Sequence, residues 1–203
     1  MRKILRSISL GGIAVICASC ATRKDVQHHV VISVKDQRLA VLDHNTLLAT
    51  YPVSTSKYGL GDWPGSRRTP LGEMEIASKI GDGAPPGTVF KDRRRTGEIV
   101  PPDAPGRDPI VTRILWLRGR ELQNVNAFRR DIYIHGTPEE RNIGLPVSYG
   151  CVRMRSTDVI KLYDIVGTGA QVTIVDAPLA AVVPGLGSGT QIASTNRGGM
   201  VIR

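Results

Sequence analysis

Residues 132–154 read IYIHGTPEERNIGLPVSYGCVRM, and the order of textures in this stretch governs how the rest of the chain is read. An apolar run, Ile132 to Ile134, ends at His135-Gly136; a loop rich in Gly, Pro and charge follows, and Gly150-Cys151 closes it. A short β-favouring run bounded by turn residues reads as a strand, and a strand end holds a side chain rigidly. Just beyond, STDVIKLYDIV (156–166) spaces Val159, Leu162, Tyr163 and Val166 at i, i+3, i+4, i+7, one face of a helix. Ser156 is expected to cap that helix, with Asp158 in its first turn and Gly167 ending it. A free thiol ionises near pH ~8.5, and a neighbouring imidazole stabilises the thiolate, so His135 and Cys151 are a candidate base and nucleophile. Gly150 leaves the backbone uncrowded, so that successive N–H groups can point at one oxyanion. On these residues alone, a core histidine and an inert buried thiol describe the pattern as well.

Working outward, HHVVISV (28–34) and RLAVLD (38–43) read as a hairpin about Lys35-Asp36-Gln37, with LLATYPVST (47–55) as a third strand. GLGDWPGSRRTPLG (59–72) is turn chemistry throughout, and EMEIASKI (73–80) alternates as a strand leaving it. Residues 81–109 carry many prolines and glycines around a basic run and read as a long loop, either a solvated insertion or a substrate-facing flap. IVTRILWLRG (110–119), DIYIHG (131–136) and AQVTIVD (170–176) supply further strands. Many short strands, abundant turns and one helix after the cysteine loop predict a mainly β domain, a sandwich or an open barrel. From Ala177 to the end the chain loses periodicity, and 177–203 is expected as a flexible tail.

The chain opens MRKILRSISLGGIAVICASC, with Arg2, Lys3 and Arg6 before an apolar run from Ile8 to Ile16. The run is far short of the roughly 20 residues of a spanning helix. A basic start, an apolar middle and small residues before a cleavage point predict a secretory signal over 1–19. Cys17-Ala18-Ser19-Cys20 resembles a bacterial lipobox, with Cys17 where leucine is usual and Cys20 as the acylated residue. Residues 20–28 are then a lipid-anchored tether, since acyl chains contribute about 0.8 kcal/mol per buried CH₂. An exported chain on the periplasmic face of a membrane is expected, the outer one where there are two, because Ala21 and not Asp follows the anchor.

Removing 1–19 takes away Arg2, Lys3 and Arg6 and no acid, so the formal charge falls from +9 to +6. Of three cysteines, the signal takes Cys17 and the anchor Cys20, leaving Cys151 with no disulfide partner. A basic surface suits anionic cell-wall polymers or lipid headgroups, while export takes the chain away from nucleic acid. His28-His29 has no companion cluster at metal-ligand spacing, so no metal is expected.

HGTPEERNIGLPVSYGCVRMRSTDV (135–159) resembles the active-site segment of the L,D-transpeptidase catalytic-domain family, a His-Gly followed after a spacer by Ser-His-Gly-Cys and a hydrophobic residue with Arg or Asn. VISVKDQRLAVLDHNTLLATYPVSTSKYG and TPLGEMEI resemble that family's opening strands and its Thr-Pro-x-Gly turn, so the resemblance spans about 29–176. It implies Cys151 as a nucleophile forming a thioester, His135 as its base, and the Gly136 carbonyl as the group that orients the imidazole. It implies an oxyanion hole from the N–H groups of Tyr149, Gly150 and Cys151, with Arg153 beside the bound stem peptide and Ser148 bracing the loop. The implied reaction acts on peptidoglycan stem tetrapeptides, releases D-alanine, and forms 3→3 cross-links or exchanges the terminal residue. No cofactor is implied, and carbapenem-type β-lactams become expected covalent inhibitors.

The departure is Tyr149, where the family usually has histidine. Its backbone N–H is unaffected, but a phenol does not take a proton near neutral pH as imidazole does. Two rivals follow: an L,D-carboxypeptidase or cross-link hydrolase on the same site, and a non-catalytic cell-wall-binding lipoprotein. A thiol paired with a base is expected to alkylate well below pH ~8, and a mere binder's is not.

Overall fold

Ten strands hydrogen-bond into one mixed sheet in the computed structural model, which describes residues 24–186. The expected signal over 1–19, the lipidation residue Cys20 and the end of the chain from 187 lie outside the described residues. The strands are β1 His28–Ser33, β2 Arg38–Asp43, β3 Thr46–Pro52, β4 Gly72–Ile80, β5 Thr88–Lys91, β6 Arg94–Ile99, β7 Ile110–Gly119, β8 Tyr133–Gly136, β9 Val152–Met154 and β10 Gln171–Val175. Helix α1 spans Ser156–Ile165 and α2 Leu179–Val182. The order is β3-β2-β1-β10-β4-β7; β7 then pairs with both β5 and β8, β6 lies on β5, and β9 lies on β8. β1 runs parallel to β10 and β8 parallel to β9; the other pairs are antiparallel.

Past β3, Ser54 exchanges two backbone hydrogen bonds with Arg153 in β9, 2.9 and 2.8 Å long. The last strand is thereby tied to the first, so the sheet rolls around its contents. Period-2 alternation sends Val30 and Ile32, Leu39 and Val41, Leu115 and Leu117, and Ile134 with Val152 into one core. The face of α1 read from the sequence, Val159, Leu162, Tyr163 and Val166, packs into that same core. Fully burying one such side chain contributes roughly 1.5–3 kcal/mol, which gives α1 a fixed place behind the sheet.

Four expectations are corrected. The segment 81–109 contains the hairpin β5–β6, whose tight turn puts Asp92 and Arg93 at φ 49° and 64°. Such turns favour Asn-Gly or Asp-Gly, and an Asp-Arg pair with a wholly exposed β6 hides the signal. Ser156 is the first helical residue and Arg155 the N-cap; the Ser156 hydroxyl instead meets Thr112 Oγ1 at 2.8 Å. The tether ends sooner than residue 28: the Asp25 N–H donates to Thr168 O, and its carboxylate accepts from the Gly167, Gln27 and His28 N–H groups. Finally, the segment read as a tail begins with α2, where Leu179 and Val183 cover Val31, Ala40 and Leu42 on the outer face of β1 and β2. At four residues α2 is too short for a helical period to register in the sequence.

Candidate active site

β8 and β9 pair in register His135↔Arg153 and Ile134↔Val152. Cross-strand partners share a face, so Ile134 and Val152 enter the core while His135 and Arg153 face away from it. Two residues back on each chain, Tyr133 and Cys151 fall on the face of His135. Parallel pairing thus assembles the candidate base and nucleophile from segments sixteen residues apart. The same face carries a second apolar cluster of Phe90, Ile114 and Tyr133, against which Cys151 packs.

His135 is buried, and its Nδ1 lies 2.8 Å from the Gly136 carbonyl oxygen. A carbonyl only accepts, so Nδ1 carries the proton and Nε2 holds the lone pair, the tautomer of a base. Burial pushes the imidazole pKa down to about 4, assisted by the Arg153 charge and opposed by the Gly136 hydrogen bond. Gly136 has no room for a side chain: a Cβ there would sit 2.7 Å from the Val111 carbonyl oxygen on β7. Gly136→Ala is expected to lower stability by about 1–3 kcal/mol, the scale of overpacking. It is also expected to reduce turnover, because β8 must shift and carry the orienting carbonyl with it; denaturant midpoint and product formation measure the two effects.

Cys151 is half-buried, and its thiol donates to the Asp131 carbonyl oxygen at 3.3 Å. Burial pushes the thiol up to about 11, against the pull of a backbone hydrogen bond and of Arg153. Both shifts favour a neutral pair at rest, opposite in direction to the easily alkylated thiolate expected from the sequence. Iodoacetamide labelling of Cys151 is expected to be slow at pH ~7 and to rise about tenfold per pH unit toward the thiol pKa. A plateau below pH ~8 would contradict a neutral resting pair.

Gly150 has φ 125°, which L side chains rarely adopt, and a Cβ would stand 3.3 Å from Arg68 O. This conformation lets the chain turn from the loop into β9 directly after Cys151. The Ser148 hydroxyl donates to the Cys151 carbonyl oxygen at 2.6 Å and accepts from the Gly150 N–H at 3.2 Å. The Gly150 N–H, expected in an oxyanion hole, thus has a partner within the loop. The Tyr149 and Cys151 N–H groups have no acceptor among the described residues. Ser148 is fully buried and braces the loop through these two bonds.

Arg153 is already paired within the protein. It is buried, with Asp108 at 2.7 Å and Glu139 at 3.5 Å, so carboxylates of the protein take the place foreseen for one from substrate. Tyr149 is 52% exposed, and its ring lies 4.7 Å from Lys57 Nζ, 5.7 Å from Arg67 Cζ and 5.8 Å from Arg153 Cζ. A neutral aromatic ring attracts these cations, whereas a protonated imidazole at this position would be repelled by them.

Two cavities meet at Cys151. One of about 220 Å³ is walled by Phe90, Ile110, Ile114, Tyr133, Asp92, Arg93 and Asp131. The other, about 260 Å³, is walled by Pro64, Gly65, Arg67, Arg129, Arg130, Ile132 and Tyr149. Arg93, at the β5–β6 turn, bonds Asp131 at 3.0 Å and the Tyr133 hydroxyl at 2.9 Å and lies over Trp116, fixing the hairpin against the site. Sequence reasoning missed Tyr133 and Asp131, although period 2 from His135 points to both; Arg93 had no such signal because its hairpin was hidden.

The family profile described as the L,D-transpeptidase catalytic domain matches residues 27–174. YkuD of Bacillus subtilis (strain 168) is 27% identical over 149 residues, covering 73% of this chain and 66% of that protein. ErfK/SrfK of Salmonella typhimurium (strain LT2) is 29% identical over 159 residues, covering 76% of this chain and 46% of its own length; both names include L,D-transpeptidase. The chain therefore spans about half to two thirds of these curated relatives. Among solved structures, LdtMt1 in complex with imipenem aligns with TM-score 0.47 at 21% identity, covering 73% of this chain and 59% of that one. The family profile covers most of the chain and includes both His135 and Cys151, so the chain belongs to the L,D-transpeptidase catalytic-domain family.

Proposed function

We propose that this protein is a peptidoglycan L,D-transpeptidase that works through a thioester on Cys151. The observation that carries the proposal is a sulfur standing between two cavities of unlike charge, on one sheet face with a histidine held as a base. Two cavities suit two substrates. The carboxylates of a donor stem match Arg67 and Arg129, and an incoming ammonium matches Asp92, since Asp131 is paired with Arg93.

In the first half-reaction the Cys151 sulfur attacks the carbonyl carbon of the third stem residue, and the thiol proton passes to His135 Nε2. The C–N bond to the terminal D-alanine breaks, its nitrogen takes that proton, and D-alanine leaves a thioester behind. In the second, the amine of another stem's third residue attacks the thioester and gives a proton to His135. The sulfur leaves and recovers the proton, and a 3→3 cross-link remains. Because burial holds the thiol near pKa 11, the proton moves as the S–C bond forms rather than beforehand. Negative charge on the attacked oxygen is met by the Tyr149 and Cys151 N–H groups.

Mass spectrometry of products from purified disaccharide-tetrapeptide tests this reading. Dimers lacking one D-alanine are expected from the wild type and not from Cys151→Ala. Tripeptide without dimers would reassign the protein as a hydrolase. Carbapenem-type β-lactams are expected to acylate the same sulfur. The basic, apolar and small-residue order of 1–20 supports export and an acyl anchor on Cys20, five residues before the docked Asp25. Cys20→Ala should then move the protein from the membrane fraction to the soluble one.

A further inference from the structure

Trp63 sits in a loop of glycines and prolines and is 64% exposed, although a tryptophan is costly to leave in water. It forms one wall of a cavity of about 420 Å³, within the roughly 300–1,000 Å³ of small-molecule sites. Leu60, Leu71 and Leu122 supply the other apolar walls, and Gln123 and Asn126 bring amide groups to the same space. Nothing in the chemistry at Cys151 uses these residues.

The Arg68 guanidinium lies 5.7 Å from the centre of the indole ring, and that Trp63 side chain lines the cavity. Gly61 permits this packing, because a Cβ there would meet Arg68 Cδ at 3.2 Å and the Trp63 ring at 3.9 Å. Beneath the loop, the buried Asp62 pairs with Arg130 at 2.9 Å and accepts from the Asn126 N–H at 2.6 Å. Arg130 also donates to the carbonyl oxygens of Gly61 at 3.1 Å and Arg68 at 2.7 Å. That same arginine walls the cavity that reaches Cys151, and Pro64, the residue after Trp63, lines it too. One rigid loop therefore carries the tryptophan site on one side and the sulfur site on the other.

We propose that the Trp63 cavity binds the amino-sugar disaccharide to which the donor stem is attached. A pyranose ring has an apolar C–H face that stacks on an indole, N-acetyl methyls suit the leucines, and hydroxyls and acetamides suit Gln123 and Asn126. The stem residues before the attacked carbonyl, one of them linked through its side-chain carboxyl, reach about 11 Å or more when extended. Arg67 and Arg129, which form no salt bridge among the described residues, line the cavity at Cys151 and would meet stem carboxylates. This assignment rests on the peptidoglycan reading above, and it adds that the glycan is recognised together with the peptide.

The test uses the full chain in two measurements. In the first, saturation-transfer NMR on the disaccharide without peptide should give a signal with wild type and with Trp63→Phe, and lose it with Trp63→Ala. In the second, kcat/KM for disaccharide-tetrapeptide should exceed that for free tetrapeptide by about tenfold, the scale of one good aromatic contact, and the preference should vanish in Trp63→Ala. Equal use of the two donors by wild type, or a sugar signal indifferent to Trp63→Ala, overturns the proposal. So does binding through Trp63 to phosphatidylglycerol–phosphatidylethanolamine vesicles with none to the disaccharide, which would make the patch a membrane contact. If neither donor is turned over while the disaccharide signal still depends on Trp63, the transferase reading fails and the sugar site stands.

Discussion

His135→Gln is expected to lower acyl transfer by about 10²–10⁴-fold, the range lost with a general base. Glutamine preserves much of the volume and can donate to the Gly136 carbonyl, but its remaining groups have no basicity near neutral pH. The Cys151 thiol, raised to about 11 by burial, then has no acceptor for its proton as it attacks. The same variant carries a stability signature. The folded imidazole titrates near 4 and the free one near 6.5, so between these values the unfolded chain binds more protons. Stability from this group is complete above pH ~6.5 and is lost as pH falls toward 4, by about 3 kcal/mol for a shift of this size. Urea midpoints of wild type should fall across that window more than those of His135→Gln. Equal slopes would mean that His135 is not held neutral by burial.

Arg153→Met is expected to destabilise the fold by about 3–5 kcal/mol, as when one partner of a buried ion pair is removed. Asp108 and Glu139 lose the cation between them, and Asp108 retains only the Thr137 hydroxyl among the described residues. The arginine is also a positive charge near both reacting groups and lowers the pKa of each. Its loss should therefore move Cys151 alkylation to still higher pH, while His135 becomes easier to protonate. A surface salt bridge would show neither effect, since exposed pairs contribute roughly 0–1 kcal/mol.

How much of this was legible in the sequence differs by region. β1, β2, β4, β7, β8 and β10 were readable because each alternates or runs apolar between turn residues. β9 was not, because three residues after a glycine turn are too short a run, and only pairing with β8 makes them a strand. The β5–β6 hairpin escaped notice because an all-exposed strand of arginines and glutamate has no hydrophobic period. His135 and Cys151 stood out in the sequence as residue types at a change of texture, while the part given to the Gly136 carbonyl came from the resemblance. The partners of Arg153 were not, since Asp108 and Glu139 come from two loops brought together only by the rolled sheet. Ser148 was expected from the resemblance to brace the loop, and its hydroxyl makes two hydrogen bonds within it, a pairing that composition does not reveal. Trp63 read as a loop residue because its meaning depends on Arg68 beside it and the cavity it lines.

The account stands on Cys151 becoming acylated by the donor. Intact-protein mass spectrometry after rapid acid quenching of the full chain with disaccharide-tetrapeptide measures this directly. The expected result is an adduct equal to the donor less one D-alanine, mapped to Cys151 and absent from Cys151→Ala. D-alanine release without any adduct in the wild type, even with no acceptor present, or the same adduct on Cys151→Ala, would contradict it.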